Sequence, residues 1–203
     1  MMFITKIQAV TKQKYSVEIN GQPAFVLYRG ELSRFKIKEN TELSEADYIE
    51  ITEEILTKRA KKYAMHLLER MDRTELILRQ KLEQAGYPEI AVEAAVAYVS
   101  SYGYINDKRY AQHYIECRKG RTGRARLKME LRQKGVQDAV IEEVLEEAEG
   151  EDSREVIRNL VEKKRRTEGP MDEKEKRKIY GYLMRRGFSS SDILCVIREN
   201  DQF

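Results

Sequence analysis

Apolar residues fall into two periods along this chain. Near the N-terminus Tyr15, Val17 and Ile19 alternate with polar neighbours, Asn20-Gly21 follows, and Ala24 to Tyr28 resumes an apolar run behind Pro23. Alternation puts one face of a strand on a core, and Asn-Gly suits a tight turn that needs positive φ. Residues 1–43 are therefore read as a small β-hairpin or meander with a connecting segment. An isolated hairpin is marginal in water, so this one is predicted to pack on Phe35, Ile37 or the first helices. From Ser44 the period lengthens. Ser44 with Asp47 three residues on resembles a capping signal, and no proline or glycine interrupts the chain before Met71. Ile49, Ile51 and Thr52 weaken the helical pattern locally, leaving open whether one helix or two fill this stretch.

The remainder repeats itself. Three times a leucine stands four residues before a glycine, and an aromatic or apolar residue follows: Leu82, Gly86, Tyr87; Leu131, Gly135, Val136; Leu183, Gly187, Phe188. The glycines are 49 and 52 residues apart, and Val92, Ile141 and Ile193, then Val96, Leu145 and Ile197, align behind them. Each repeat is read as three helices. In the first, Ala64, Leu67, Leu68 and Met71 line one face of Lys58 to Met71, and Asp72 to Glu75 restarts the chain in capping-box style. Leu78 and Leu82 face inward next, and Pro88 opens a helix whose buried stripe is Val92, Ala95, Val96 and Val99. In the second, Tyr110, Ala111, Tyr114 and Ile115 fill one helix, Gly120 to Gly123 turns, Leu127 and Leu131 fill another, and Ile141, Val144 and Leu145 a third. In the third, Asp152 to Arg166 is helical, Gly169-Pro170 breaks the chain, Asp172 and Glu175 cap the next helix, and Ser189 caps Asp192 to Asn200. The expected architecture is mainly α: tandem three-helix modules in an elongated curved array, behind the small N-terminal β segment. The divisions are 1–43, 44–104 with a lead-in helix, 105–150 and 151–203. Stacked units of this length present an extended gripping surface instead of a closed cleft.

Composition agrees, with 36% charged and 41% hydrophobic residues. Thin helical layers need this mixture, because each helix buries one stripe and shows water the rest. Even the most apolar stretch, Ile90 to Tyr104, carries Glu93 and a Ser-Ser pair, so nothing approaches a membrane span of roughly 20 apolar residues. Met1 to Val10 lacks the pattern of a signal peptide, and a cytoplasmic protein is expected. Cys117 and Cys195 belong to no Cys-x-x-Cys pair and are read as reduced helix residues.

Charge is segregated far more than the net +3 suggests. Basic residues cluster at Lys58, Arg59, Lys61 and Lys62, at Arg118, Lys119, Arg121, Arg124, Arg126 and Lys128, at Lys163, Lys164, Arg165 and Arg166, and at Arg185 and Arg186. Between the later clusters runs an acidic stretch from Asp138 to Asp152. Two readings stand side by side. The basic clusters meet a polyanion or an acidic protein face, or they are solvated helix faces pairing with carboxylates. Their corresponding positions in the three repeats tilt the reading toward a binding surface.

No catalytic constellation is found. His66 and His113 lack a second metal ligand at helical spacing, there is no Gly-x-x-x-x-Gly-Lys-Ser/Thr phosphate loop, and no Gly-x-Ser-x-Gly elbow. Glu142-Glu143 and Glu146-Glu147 sit where an exposed helix face puts them. Gly120 to Gly123 matches the Gly-x-x-Gly clamp of KH domains, but the strands of a KH domain are not seen beside it. No cofactor or metal is expected.

Ala64-Met-His-Leu-Leu-Glu-Arg70, Thr74-Glu-Leu-Ile-Leu-Arg-Gln-Lys-Leu82 and Gly86-Tyr87 together resemble the first repeat of the RecX family, bacterial regulators of the RecA recombinase. Gly103-Tyr-Ile-Asn-Asp107 with Tyr110-Ala111, Arg118 and Gly120 is similar to that family's second repeat, and Arg185-Arg-Gly-Phe-Ser189 with Ile193 and Ile197 to its C-terminal end. Ile105-Asn106 stands where the family often has Leu-Asp, and the third repeat has a longer break at Thr167 to Met171. The resemblance implies tandem three-helix modules lying in the groove of the RecA filament on DNA and modulating strand exchange and ATP hydrolysis. It implies a monomeric, non-enzymatic partner of RecA that meets DNA directly or through the filament. A rival from another class is a direct DNA-binding protein using its modules like helix-turn-helix units.

Overall fold

The structure, a computed structural model, describes residues 1–148, 152–165 and 171–199. It divides into two compact units, Met1–Asn106 and Asp107–Phe203.

The first unit opens with β1 (Met2–Ala9), β2 (Lys14–Ile19) and β3 (Gln22–Tyr28), then a short α1 (Arg29–Arg34) and β4 (Thr41–Leu43). All pair antiparallel in the order β3-β2-β1-β4. The hairpin expected from the sequence is β2–β3, one side of a four-stranded sheet whose other side is β1 and β4, with Asn20 (φ 51°) and Gly21 (φ 79°) making its turn. Ile4, Val17, Phe25 and Leu27 are buried, and the sheet shares a single core with the helices behind it, including Phe35 and Ile37. That packing supplies the cover a lone hairpin lacks.

Ser44 caps the helix that follows, its Oγ accepting from the Asp47 amide at 3.1 Å. The stretch to Arg70 is neither one regular helix nor two. α2 (Glu45–Ile49) runs into a π-helical segment (Glu50–Leu56) and on into α3 (Thr57–Arg70) without a break. The amide and hydroxyl of Thr57 both donate to the carbonyl of Thr52, five residues back, the hydroxyl at 2.9 Å. The widened turn keeps Ile51, Thr52 and Leu56 buried, where a change of register elsewhere would expose them. One expectation is corrected. Met71 does not belong to the buried face, because it ends α3 in extended conformation and is 58% exposed. Ala64 and Leu67 are buried and Leu68 is half-buried.

α3, α4 (Glu75–Gln84) and α5 (Glu89–Ser101) complete the first module. α6 (Asp107–Glu116), α7 (Arg124–Gln133) and α8 (Asp138–Glu147) form the second; α9 (Ser153–Lys164), α10 (Glu173–Arg185) and α11 (Ser190–Glu199) form the third. The second and third have separate cores. The leucine-to-glycine spacing is a helix-ending device. At each site the glycine amide returns to the carbonyl three residues back (2.8, 2.9 and 3.0 Å), and the next residue's amide returns to the leucine carbonyl (3.3, 3.1 and 3.3 Å). The glycines hold φ of 83°, 85° and 82°, and the leucine and the following residue close an apolar contact beneath the turn. Asp172 and Ser189 cap α10 and α11 as the sequence suggests, accepting from Glu175 (2.6 Å) and Asp192 (3.1 Å). α11 begins directly after its cap, at Ser190, while α9 ends at Lys164 because Arg165 is extended. Gly169-Pro170, Arg166 and Asn200 lie outside the described residues. No helix among the described residues is long and apolar enough to cross a membrane.

Candidate partner-binding surface

Most of the basic residues picked out by sequence are already engaged. In the second module the acidic α8 lies against its basic neighbours. Arg124 (3.3 Å) and Lys128 both hold Glu142, Arg132 holds Asp138, and Lys108 reaches Glu143 and Glu147 at 2.8 Å each. Charges segregated along the chain therefore neutralise one another in space. Hydrogen bonds from Lys128 and then Arg124 keep the Glu142 carboxyl below its usual range. The brace recurs 49 residues earlier, where Arg79 bridges Glu75 and Glu93. At the third module's equivalent positions stand Tyr180, bonded to Ser190 at 2.9 Å, and Leu194, so that module lacks the brace.

A second group centres on Glu130. Arg126 Nε (2.8 Å) and the Tyr114 hydroxyl (2.8 Å) donate to it, and Arg118 lies 3.4 Å away with its guanidinium 4.5 Å from the Tyr114 ring centre. Burial alone raises a carboxyl, but here the donors and the Arg118 charge outweigh it and Glu130 falls below its usual range. Tyr114, half-buried and donating to that carboxylate, is pushed up to about 12 by desolvation first and the bond to Glu130 second.

The second and third modules meet through one backbone bond and two arginine side chains set on backbone carbonyls. The Gly123 amide donates to the Arg186 carbonyl (2.8 Å), Arg126 Nη1 to the Arg185 carbonyl (2.9 Å), and Arg186 Nη1 to the Arg121 carbonyl (2.6 Å). Two sequence-distant basic clusters thereby become one. Tyr182 joins them, its ring flanked by Lys164 (5.2 Å) and Arg186 (4.7 Å). At this junction Arg121 and Arg185 are exposed and hold no ion pair among the described residues. Lys163 is likewise exposed, Lys119 lies on the exposed turn before α7, and Arg165 follows α9 half-buried. Arg166 is outside the described residues.

In the first unit Arg59 is structural. It pairs with Glu31 and covers the Tyr28 ring at 4.5 Å, tying α3 to the sheet side of the core. Lys58 pairs with Glu54 (2.6 Å), Lys61 sits 5.2 Å over Tyr98, and Lys62 is exposed. The basic-run reading passes over the exposed tyrosines around Lys61, whose only sequence signal is aromatic spacing across the end of α5.

Comparison with known proteins gives consistent matches. The family profiles described as the first, second and third three-helix domains of RecX match residues 60–98, 106–145 and 151–197. The regulatory protein RecX of Caldanaerobacter subterraneus subsp. tengcongensis is 34% identical over 195 residues, 95% of this chain and 96% of that protein. That of Clostridium acetobutylicum is 31% identical, over 97% and 95%. A crystal structure of regulatory protein RecX superposes with a TM-score of 0.63 at 25% identity, covering 98% of this chain and 100% of the other. The fold of RecX from Lactobacillus salivarius matches 73% of this chain and 98% of that one, with a TM-score of 0.60 at 23% identity.

Proposed function

This chain belongs to the RecX family, and from that premise we propose that it is a non-enzymatic regulator that binds the RecA–DNA filament and inhibits its ATP hydrolysis and strand exchange. The observation that carries this reading is the succession of three modules, each matching its own RecX domain in family order. The chain acts as a cytoplasmic monomer on an assembly many times its size. Several modules on one chain convert weak contacts into linked ones, since the first to bind raises the effective concentration of the rest. Inhibition requires a preference for one filament state, and each tenfold of preference corresponds to about 1.4 kcal/mol.

The junction between the second and third modules supports a polyanionic or acidic partner. Among the described residues its exposed arginines, Arg121 and Arg185, hold no carboxylate of their own chain, so a phosphate or a partner carboxylate gains them without first breaking such a pair. The other basic residues serve mainly as braces. The test is the double charge reversal Arg121→Glu with Arg185→Glu, leaving Arg126 intact because it holds the junction together. The concentration needed to inhibit RecA-driven ATP hydrolysis should rise about tenfold, the loss of roughly 1.4 kcal/mol. Inhibition at unchanged concentration rejects this surface. The same exposed arginines favour a second reading, direct DNA binding. Titrating naked DNA at two salt concentrations separates them, because tight, steeply salt-dependent binding that RecA does not improve identifies a DNA-binding protein.

A further inference from the structure

Three tyrosines form an exposed aromatic row at the end of α5. Tyr98 and Tyr102 meet edge to face with ring centres 5.0 Å apart, and Tyr102 stacks on Tyr104 at 5.8 Å with the planes 16° apart. Tyr102 is 61% exposed and Tyr104 44%. The backbone holds the row in place. The Gly103 amide donates to the Ser100 carbonyl (2.9 Å) and the Tyr104 amide to that of fully buried Val99 (3.0 Å), so the chain beyond the helix keeps a fixed path. Lys61 on α3 lies 5.2 Å over Tyr98, and Lys62 beside it is exposed. No carboxylate occurs from Ala97 to Asn106.

Core packing does not require this arrangement. Other aromatic pairs of the same unit, Phe25 with Tyr48 and Tyr63 with Tyr87, are set against the core, whereas these rings turn their area to solvent. Pre-ordered flat rings beside the Lys61 ammonium suit a ligand with both π-faces and negative charge. A single-stranded polynucleotide has both; a duplex hides its base faces in its own stack. Base-on-aromatic stacking tolerates any sequence, because every base has a π-face.

We propose that Tyr98, Tyr102 and Tyr104, with Lys61, form a stacking platform for the bases of single-stranded nucleic acid. This rests on the filament reading only for the source of the strand, and the platform is tested without RecA. Full-length protein is titrated with a fluorescein-labelled oligothymidylate, an abasic strand of equal length and a duplex. Tyr102→Ala with Tyr104→Ala should weaken oligothymidylate binding about tenfold or more and leave duplex binding unchanged, while Tyr102→Phe with Tyr104→Phe retains the wild-type affinity. The abasic strand should bind wild type as weakly as the oligothymidylate binds the alanine variant. Because the rings are exposed, the melting temperature of both variants should match wild type. Undiminished oligothymidylate binding by the alanine variant, or equal losses on all three ligands, overturns the platform. If the alanine variant binds the oligonucleotide normally but loses inhibition of RecA, the row contacts protein and the platform fails while the regulator reading stands. Loss of oligonucleotide binding as expected, with inhibition untouched by the Arg121 and Arg185 reversal, sinks the junction surface and keeps the platform.

Discussion

Gly187 has no room for a methyl group. A Cβ there would lie 2.4 Å from the backbone nitrogen and Cβ of Arg126, and its φ of 82° is already costly for any L side chain. Gly187→Ala should therefore lower stability by about 2 kcal/mol or more, read as a lower urea midpoint. Glu130 makes a pH argument at the same scale. Its carboxyl is lowered in the folded chain relative to an ordinary 4.5, so the stability it supplies is complete above that value and is lost as pH falls through the lower folded-state value. Melting temperature should accordingly fall on acidification below about pH 4.5. Glu130→Gln should be less stable than wild type at neutral pH, by about 1–2 kcal/mol for two lost charge-assisted hydrogen bonds, and less sensitive to acid. Equal acid sensitivity in wild type and variant would remove Glu130 from that role.

Among the elements, helix ends were legible and helix interiors less so. The leucine, glycine and apolar residue that recur in the sequence are the parts of one hydrogen-bonded turn, so local chemistry alone betrayed three of them. Ser44, Asp172 and Ser189 were readable as caps for the same reason, whereas the box read over Asp72 to Glu75 resolves to Thr74 as the cap, accepting from the Ile77 amide at 3.3 Å. The π-helical segment was not. Ile49, Ile51 and Thr52 signalled an irregularity, but the choice between a break and a widened turn depends on which residues the sheet and α5 bury. Thr57→Val deletes the hydroxyl bond to Thr52 and should cost about 1 kcal/mol in a denaturant titration; no change would mean the widened turn is held by packing alone. β4 is three residues long and has no period to detect. At the candidate surface the basic residues were visible in sequence, whereas their fates were not. Nothing local tells that Lys128 is spent on Glu142 while Arg121 stays outward, or that Lys164 and Arg186 share Tyr182. Those facts are made by contacts between elements.

At the scale of the whole molecule, the helical modules do not share one interior. The first module is fused to the sheet, and the second and third each bury their own leucines and isoleucines. Local contacts dominate such modules, and they should open with different free energies instead of as one body. The Gly123 amide, bonded across the junction to Arg186, offers a readout: its hydrogen exchange should be faster than that of Leu131 within α7, which lies under the second module's own core. That junction also has a longer consequence. The seam takes only the peptide carbonyls of 121 and 185, with its donors coming from Gly123, Arg126 and Arg186, so the outward side chains at 121 and 185 are free to be replaced over evolutionary time. The frame can be inherited unchanged while its charge is retuned to whatever it must grip.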